Sequence, residues 1–460
     1  MKVAIVSQPW DTLEAPVTAG SIPIWTYETA KRLAKDCEVV IYARRNSEQL
    51  KQAYDEGVEY RRVSTWGNRI GTGMARTLSR LYRRFRYLNS RLYYLPYPVR
   101  VALDLKRQGC DIVHIQNFSQ FVPIIKALNP HIKIVLHMHC DWLSQFDYQV
   151  IADRMAQIDL MVGCSDYTTR RVQERFPQFA QCCCRVYNGV DTQQFSPAPL
   201  KEHLTESEND ELKLLYVGRI SPEKGLHTLL RAFDRIADEF PAATLTLIGP
   251  DSAVAPEFIA ELSSDPVVQK LTDLNPLNYP KNLREQVPQR LKDRVTFIGA
   301  VSHLELQTYL QEAAVLLNPS LSEAFGMSLV EAAASGIPVI ATQVGGMTDV
   351  VVPGETGLLV PADDPQALAE AMGQLLSDKD QRQRMGLAGR VRAVEKFSWE
   401  AIATDLVGHY RALLSQEPQQ PQQPQEPQEP QEPQQQVVIE YVTAPQPTDP
   451  ETAKSTETIQ

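Results

Sequence analysis

The chain has 460 residues, 43% hydrophobic and 22% charged, a composition that suits two or three globular domains. No apolar run approaches the roughly 18 residues needed to cross a bilayer, and Met1–Ser7 lacks the features of a secretory leader, so neither a spanning helix nor export by that route is expected. The net charge of −10 is concentrated at one end: residues 416–460 hold eight acids against Lys454, the remaining body is near neutral, and nothing global points to a nucleic-acid partner.

In chain order, short apolar runs alternate with longer amphipathic ones. The first half offers strands at Lys2–Ser7, Glu38–Ala43, Asp111–Ile115, Lys133–His139, Leu160–Ser165 and Arg185–Val190. The second offers Leu212–Gly218, Thr244–Gly249, Val295–Gly299, Val315–Pro319, Pro338–Thr342 and Gly357–Val360. Continuous apolar strands separated by helices indicate parallel sheets covered on both faces, and two such series indicate two doubly wound α/β domains. The expected division is an N-terminal domain over 1–196, a polar linker over 197–211, a C-terminal domain over 212–395 and a closing helix over 396–415. In that helix Trp399, Ile402, Leu406, Tyr410 and Leu413 recur at helical spacing.

Residues 416–436 contain only Gln, Pro and Glu, which cannot build a core, so 416–460 is read as a disordered tail. It serves as a spacer or as a docking segment for a protein partner. Residues 61–107 hold twelve Arg or Lys and one acid, Asp104. Within them Met74, Leu78, Leu81, Phe85, Leu88 and Leu92 share one helical face, with Arg76, Arg80, Arg83, Arg84 and Arg91 opposite. That basic amphipathic pattern over 74–92 suits an anionic membrane surface or an ordinary surface helix. The seven cysteines show no C-x-x-C spacing, which disfavours a zinc ribbon and fits packing thiols in a reducing cytoplasm.

Three segments carry the chemistry. Ser320–Ala332 follows a strand and opens a helix, with Glu323 in the loop and Glu331 about two turns into the helix. Between them the backbone amides of Phe325, Gly326, Met327, Ser328 and Leu329 emerge at a helix N-terminus, where a diphosphate is favoured. Carboxylates on either side can hold sugar and ribose hydroxyls. Gly218-Arg219 to Lys224-Gly225 follows another strand and places two cations on one strand-to-helix turn, where they can neutralise charge on a leaving phosphate. Val344-Gly345-Gly346 to Asp349 follows a third, and its paired glycines allow either close approach to a ligand or a plain tight turn.

These segments, together with Asn188-Gly189-Val190-Asp191, Phe195 and Phe397-Ser398-Trp399-Glu400, resemble the retaining glycosyltransferases of family 4, also called glycosyl transferases group 1. The resemblance spans about residues 1–415. It implies the GT-B architecture: two Rossmann-like domains facing a cleft, with the acceptor on the N-terminal side and a nucleoside-diphosphate sugar, UDP- or GDP-linked, on the C-terminal side. It implies that Glu323 and Glu331 bind the donor sugar and ribose, and that Arg219 and Lys224 bind the diphosphate. No permanently bound cofactor and no metal are implied. The family's N-terminal glycine pair is met in part, by Ala19-Gly20. Its cleft-facing histidine matches His139, which would hydrogen-bond the donor sugar near the reacting carbon; His114 is a second histidine expected at the cleft. Asp349 stands where the family more often has Glu, a change of little expected consequence. Residues 262–288 read as an insertion that shapes the acceptor mouth or mediates oligomerisation. The resulting reading is hexose transfer to a glycan or glycolipid hydroxyl, in polysaccharide synthesis in the cytoplasm or at the inner face of the plasma membrane. A GT-B epimerase or phosphorylase, or a non-catalytic scaffold, stands as the alternative.

Overall fold

A computed structural model describes residues 1–18, 20–68, 73, 90, 92–198, 212–252, 259, 262–275 and 278–415. Ala19, the basic pattern over 74–92 apart from Ser90 and Leu92, most of the linker and the whole tail lie outside these residues.

The N-terminal half is a sheet of β1 (Lys2–Val6), β2 (Glu38–Arg44), β3 (Gln52–Asp55), β4 (Val58–Val63), β5 (Ile112–Gln116), β6 (Lys133–Met138), β7 (Leu160–Gly163) and β8 (Cys183–Arg185). Its order is β3-β4-β2-β1-β5-β6-β7-β8, parallel except for the β3–β4 hairpin. The C-terminal half holds β9 (Lys213–Val217), β10 (Thr244–Ile248), β11 (Val295–Gly299), β12 (Val315–Asn318), β13 (Val339–Thr342) and β14 (Gly357–Val360), all parallel, in the order β11-β10-β9-β12-β13-β14. In both sheets the order reverses beside the first strand, and strand C-termini at such a reversal open onto a crevice.

The apolar runs form strands because both of their faces are covered: β5 is buried at every residue and β1 at all but Lys2. The run at Arg185–Val190 differs from expectation. The paired strand is Cys183–Arg185, and Val186, Tyr187 and Val190 are buried as irregular chain. There Val190 N–H donates to Phe397 O at 2.7 Å, so this segment spends a backbone bond on the closing region instead of the sheet. Strands β3 and β4 were not expected, since their partly exposed residues give no apolar run.

One apolar cluster runs through both halves, joining Val186, Tyr187 and Phe195 to Leu316, Phe325 and Leu329. Trp399, 2% exposed, belongs to it, and a Cβ on Gly189 would lie 2.2 Å from its indole. The closing region is two helices, Lys379–Phe397 and Trp399–Ser415, broken at Ser398. The second packs on the N-terminal half, where Arg32 pairs with Glu400 at 2.7 Å and Arg411 with Asp36 at 3.1 Å. Asp378 caps the first of these helices by accepting from Gln381 N–H at 2.7 Å. The seven cysteines are free thiols, and no helix among the described residues is long and apolar enough to cross a membrane.

Candidate active site

The Arg219 and Glu323 segments follow β9 and β12, neighbours in the C-terminal sheet. Their loops are stitched together, Leu321 N–H donating to Glu223 O at 2.8 Å. Gly225 makes this contact feasible: its φ is +66°, and a Cβ there would stand 2.1 Å from Pro319 O. Lys224 Nζ consequently reaches Glu323 Oε2 at 2.6 Å, with both side chains less than one-fifth exposed. Burial pushes the Glu323 carboxyl up, but Lys224 and then Arg219 outweigh it and hold it below its ordinary range. Arg219, 38% exposed, is held by Glu223 at 2.9 Å, and Ser221 Oγ donates to the same Glu223 oxygen at 2.7 Å.

Not all the expected amides are available. Phe325 N–H is directed at the Glu323 carboxylate, and Leu329 N–H donates to Gly326 O at 3.1 Å. Of the five expected amides, those of Gly326, Met327 and Ser328 remain as candidates for a phosphate. The side chains of Phe325 and Leu329 are core, at 2% and 0% exposure, with Phe325 lying 5.8 Å from both Tyr187 and Phe397. Glu331 is buried with His303 Nε2 3.9 Å from its carboxylate, and burial raises its pKa. Gly20 precedes the helix Ser21–Leu33 and its carbonyl accepts from Ile24 N–H at 3.0 Å, while Gly218 N–H donates to Ile248 O at 2.9 Å.

The close approach allowed by the paired glycines is to protein. A Cβ on Gly345 would meet Glu323 O at 1.8 Å, and one on Gly346 would meet Ala324 O at 2.1 Å. The pair buttresses the Glu323 loop. Asp349 has more consequence than expected: its Oδ2 accepts from the amides of Asp166 and Tyr167 at 2.6 and 3.4 Å, capping a helix of the opposite half.

Two cavities flank the Glu323–Glu331 segment. One, of about 490 Å³, has Arg219, Lys224 and Glu323 on one wall and Asp141, Tyr167 and Arg171 on the other. The second, of about 440 Å³, contains Glu331, Met327 and His303 opposite Tyr27 and Lys31. The insertion contributes Ser263, Ser264 and Asp265 to the first cavity. Its Leu262 packs into the N-terminal core and its Val268 and Leu271 pack on Leu321, so it straps one half to the other beside the cations.

The histidines depart from expectation. His139 lines neither cavity. Its Nδ1 lies 3.1 Å from Asn188 Oδ1 and its Nε2 2.7 Å from Gln116 Oε1. Burial pushes its pKa down to about 3, so the ring is neutral and donates from one nitrogen only. Turning over the Gln116 amide, whose Nε2 is otherwise without a partner, satisfies both ring nitrogens. His114 does not face the cleft: it is fully buried, 2.7 Å from Tyr410 Oη and 3.1 Å from His137 Nδ1. His137 stacks on His139 with ring centroids 4.1 Å apart.

Glu223, Asp141, Tyr167 and Arg171 were not singled out from the sequence. Asp141 had a signal, since it follows β6 at the open end of a parallel sheet. Tyr167 and Arg171 sit in the helix Asp166–Arg175, where nothing marks them apart from other polar helix residues.

Residues 201–392 match the family model for glycosyl transferases group 1, and residues 23–194 match that for glycosyltransferase family 4. Spore coat protein SA of Bacillus subtilis (strain 168) is 28% identical over 426 residues, covering 89% of this chain and 99% of that protein. The D-inositol 3-phosphate glycosyltransferase of Corynebacterium urealyticum is 32% identical over 266 residues, 55% of this chain and 57% of that one. Among solved structures, Anabaena Alr3699/HepE in complex with UDP superposes with a TM-score of 0.64 at 17% identity, covering 90% of this chain and 100% of that one, a likeness of fold.

Proposed function

Because the chain belongs to the group 1, family 4 glycosyltransferases and has their GT-B fold, we propose that it moves a hexose from a nucleoside-diphosphate sugar to a hydroxyl of a glycan or glycolipid, with retention of configuration. The observation that carries this reading is the junction of Arg219, Lys224 and Glu323 at the start of the helix that bears Glu331. Arg219 and Lys224 flank the loop that leads into this helix, whose first amides, from Gly326, Met327 and Ser328, would receive the diphosphate, and Glu331, in the neighbouring cavity, would hold the ribose.

In this mechanism the bond from the anomeric carbon to the β-phosphate oxygen breaks through an oxocarbenium-like state. The acceptor oxygen bonds to the same face, and its proton passes to the departing phosphate. Arg219, Lys224 and the amides stabilise the charge that grows on the leaving group. Closure of the two halves keeps water from the donor. UDP is the first base to test, given the UDP complex of the Anabaena protein, with GDP second. Gly20 would contact phosphate or acceptor from the N-terminal side. His139 would reach the donor sugar only by exchanging its Gln116 or Asn188 partner for a sugar hydroxyl. The basic pattern over 74–92 supports a lipid-linked acceptor at an anionic cytoplasmic membrane face.

The test is a panel of UDP- and GDP-sugars. The reading requires release of nucleoside diphosphate from one of them and, by proton NMR of the first-formed product, the anomeric configuration of the donor. An inverted product would refute retention, and no turnover of any member by folded protein would refute the transferase reading for this site.

A further inference from the structure

The wall that faces the cations across the 490 Å³ cavity is built from side chains to which the donor reading above gives no role. Asp141 Oδ1 is buried without a partner, and the other carboxylate oxygen receives the Tyr167 hydroxyl. Arg171 Nε, on the same wall, is likewise buried without a partner. Trp142 contributes an indole. A carboxylate that accepts, a guanidinium that donates and an aromatic face together match a sugar ring, whose hydroxyls each give and take a hydrogen bond and whose C–H face packs on aromatic rings.

Charge narrows the class. The cavity is lined by the carboxylates of Asp141, Glu223, Asp265 and Glu323 against the cations of Arg171, Arg219 and Lys224. It is therefore about one charge negative before a diphosphate arrives with more. A phosphorylated or carboxylated acceptor would meet like charge in a space poorly screened by water. An uncharged ring meets no such penalty. The volume lies toward the small end of the roughly 300–1,000 Å³ range of ligand pockets, which suits a terminal ring better than an interior stretch of polymer.

We infer that Asp141 and Arg171, with Trp142 beside them, form the acceptor subsite and select an uncharged terminal sugar ring, Asp141 accepting from a hydroxyl next to the one that attacks. This rests on the transferase reading above and names the acceptor class for the same site. A lipid-linked glycan ending in a neutral hexose satisfies both.

The experiment uses the full chain, the nucleotide sugar that raises its melting point, and methyl glucoside, methyl galactoside, methyl mannoside and glucose 6-phosphate as acceptor probes. Nucleoside diphosphate release is read with each probe and with water alone, and direct contact is read by saturation-transfer NMR on the methyl glycosides. The expected result is faster release with at least one methyl glycoside and none with glucose 6-phosphate. In Asp141→Asn the ratio of transfer to hydrolysis should fall tenfold or more, while the nucleotide still raises the melting point. Arg171→Gln should behave alike and serves if Asp141→Asn does not fold. Stimulation by glucose 6-phosphate alone, no contact with any methyl glycoside, or an unchanged ratio in both variants would overturn the inference while leaving the donor site standing. Failure of every nucleotide sugar to bind wild type would instead overturn the transferase reading, and this inference with it.

Discussion

Acidification should destabilise this protein well above the pH at which carboxylates titrate, because three histidines are buried together in neutral form. His114, His137 and His139 are stacked or bonded to one another beside Trp25. Burial holds His114 and His139 down to about 3 and His137 well below its ordinary value. The sign follows from proton counting: the unfolded chain takes up these protons near pH 6.5 and the folded chain does not, so stability falls as pH drops through 6.5. At pH 5.5 the unfolded state gains about 1.4 kcal/mol per histidine relative to pH 7.5, about 4 kcal/mol for the three. His227, also pushed down by burial, adds in the same direction. Asp11, Asp141 and Glu331 are pushed up by burial and act in the opposite direction, since each binds its proton more tightly in the folded chain. Urea unfolding at pH 7.5 and 5.5 measures the difference. In His137→Leu it should shrink by about a third, since one proton site is gone. Equal stability at the two pH values, or the same difference in wild type and His137→Leu, would refute the account of the cluster.

Three further outcomes are expected. Lys224→Met removes the closest cation from Glu323 and should cut kcat/KM by about 10²–10³, the usual scale for losing one charge-stabilising group. It should also cost about 3 kcal/mol of stability at pH 7, because it leaves a buried carboxylate unpaired. Glu323 is depressed in the wild type, so the pair stabilises above the unfolded carboxylate pKa; without Lys224 only Arg219 and the Phe325 amide oppose the burial that raises Glu323, so its pKa climbs and the variant's deficit in thermal melts should narrow between pH 7 and 5. Glu331→Gln should raise the melting point of the ligand-free protein at pH 8 yet weaken nucleotide binding, because the carboxylate's raised pKa marks a charge that burial penalises there. Gly345→Ala should cost about 1–3 kcal/mol in unfolding experiments and lower turnover, since its Cβ would displace the Glu323 carbonyl 1.8 Å away.

The parallel strands were legible because burial on both faces leaves continuous apolar runs, as at Lys2–Val6 and Ile112–Gln116; Val295–Gly299 and Gly357–Val360 also fall where expected, although they are only partly buried. The same logic misread Val186–Val190, which is apolar because it is buried between the halves and not because it is paired. It could not see β3 and β4, which are partly exposed and interleave polar with apolar residues. The candidate donor residues stood out for a related reason: Arg219, Lys224 and Glu323 lie in the loops that follow β9 and β12, where a parallel sheet opens, and Glu331 lies on the helix after β12. Contacts across the two halves left no such trace. The Asp349 cap on Asp166 spans 183 positions in the chain; within the N-terminal half, too, the partners that occupy His139, Gln116 on β5 and Asn188, lie 23 and 49 residues away.

The central claim is that the Arg219–Lys224–Glu323–Glu331 constellation binds a nucleoside diphosphate. Calorimetric titration of UDP and GDP into wild type, Lys224→Met and Glu331→Gln tests it most directly. The account predicts saturable binding of one nucleotide to wild type, weakened at least tenfold in each variant while both remain folded. Equal affinity in all three proteins, or no binding of either nucleotide to wild type, would contradict it.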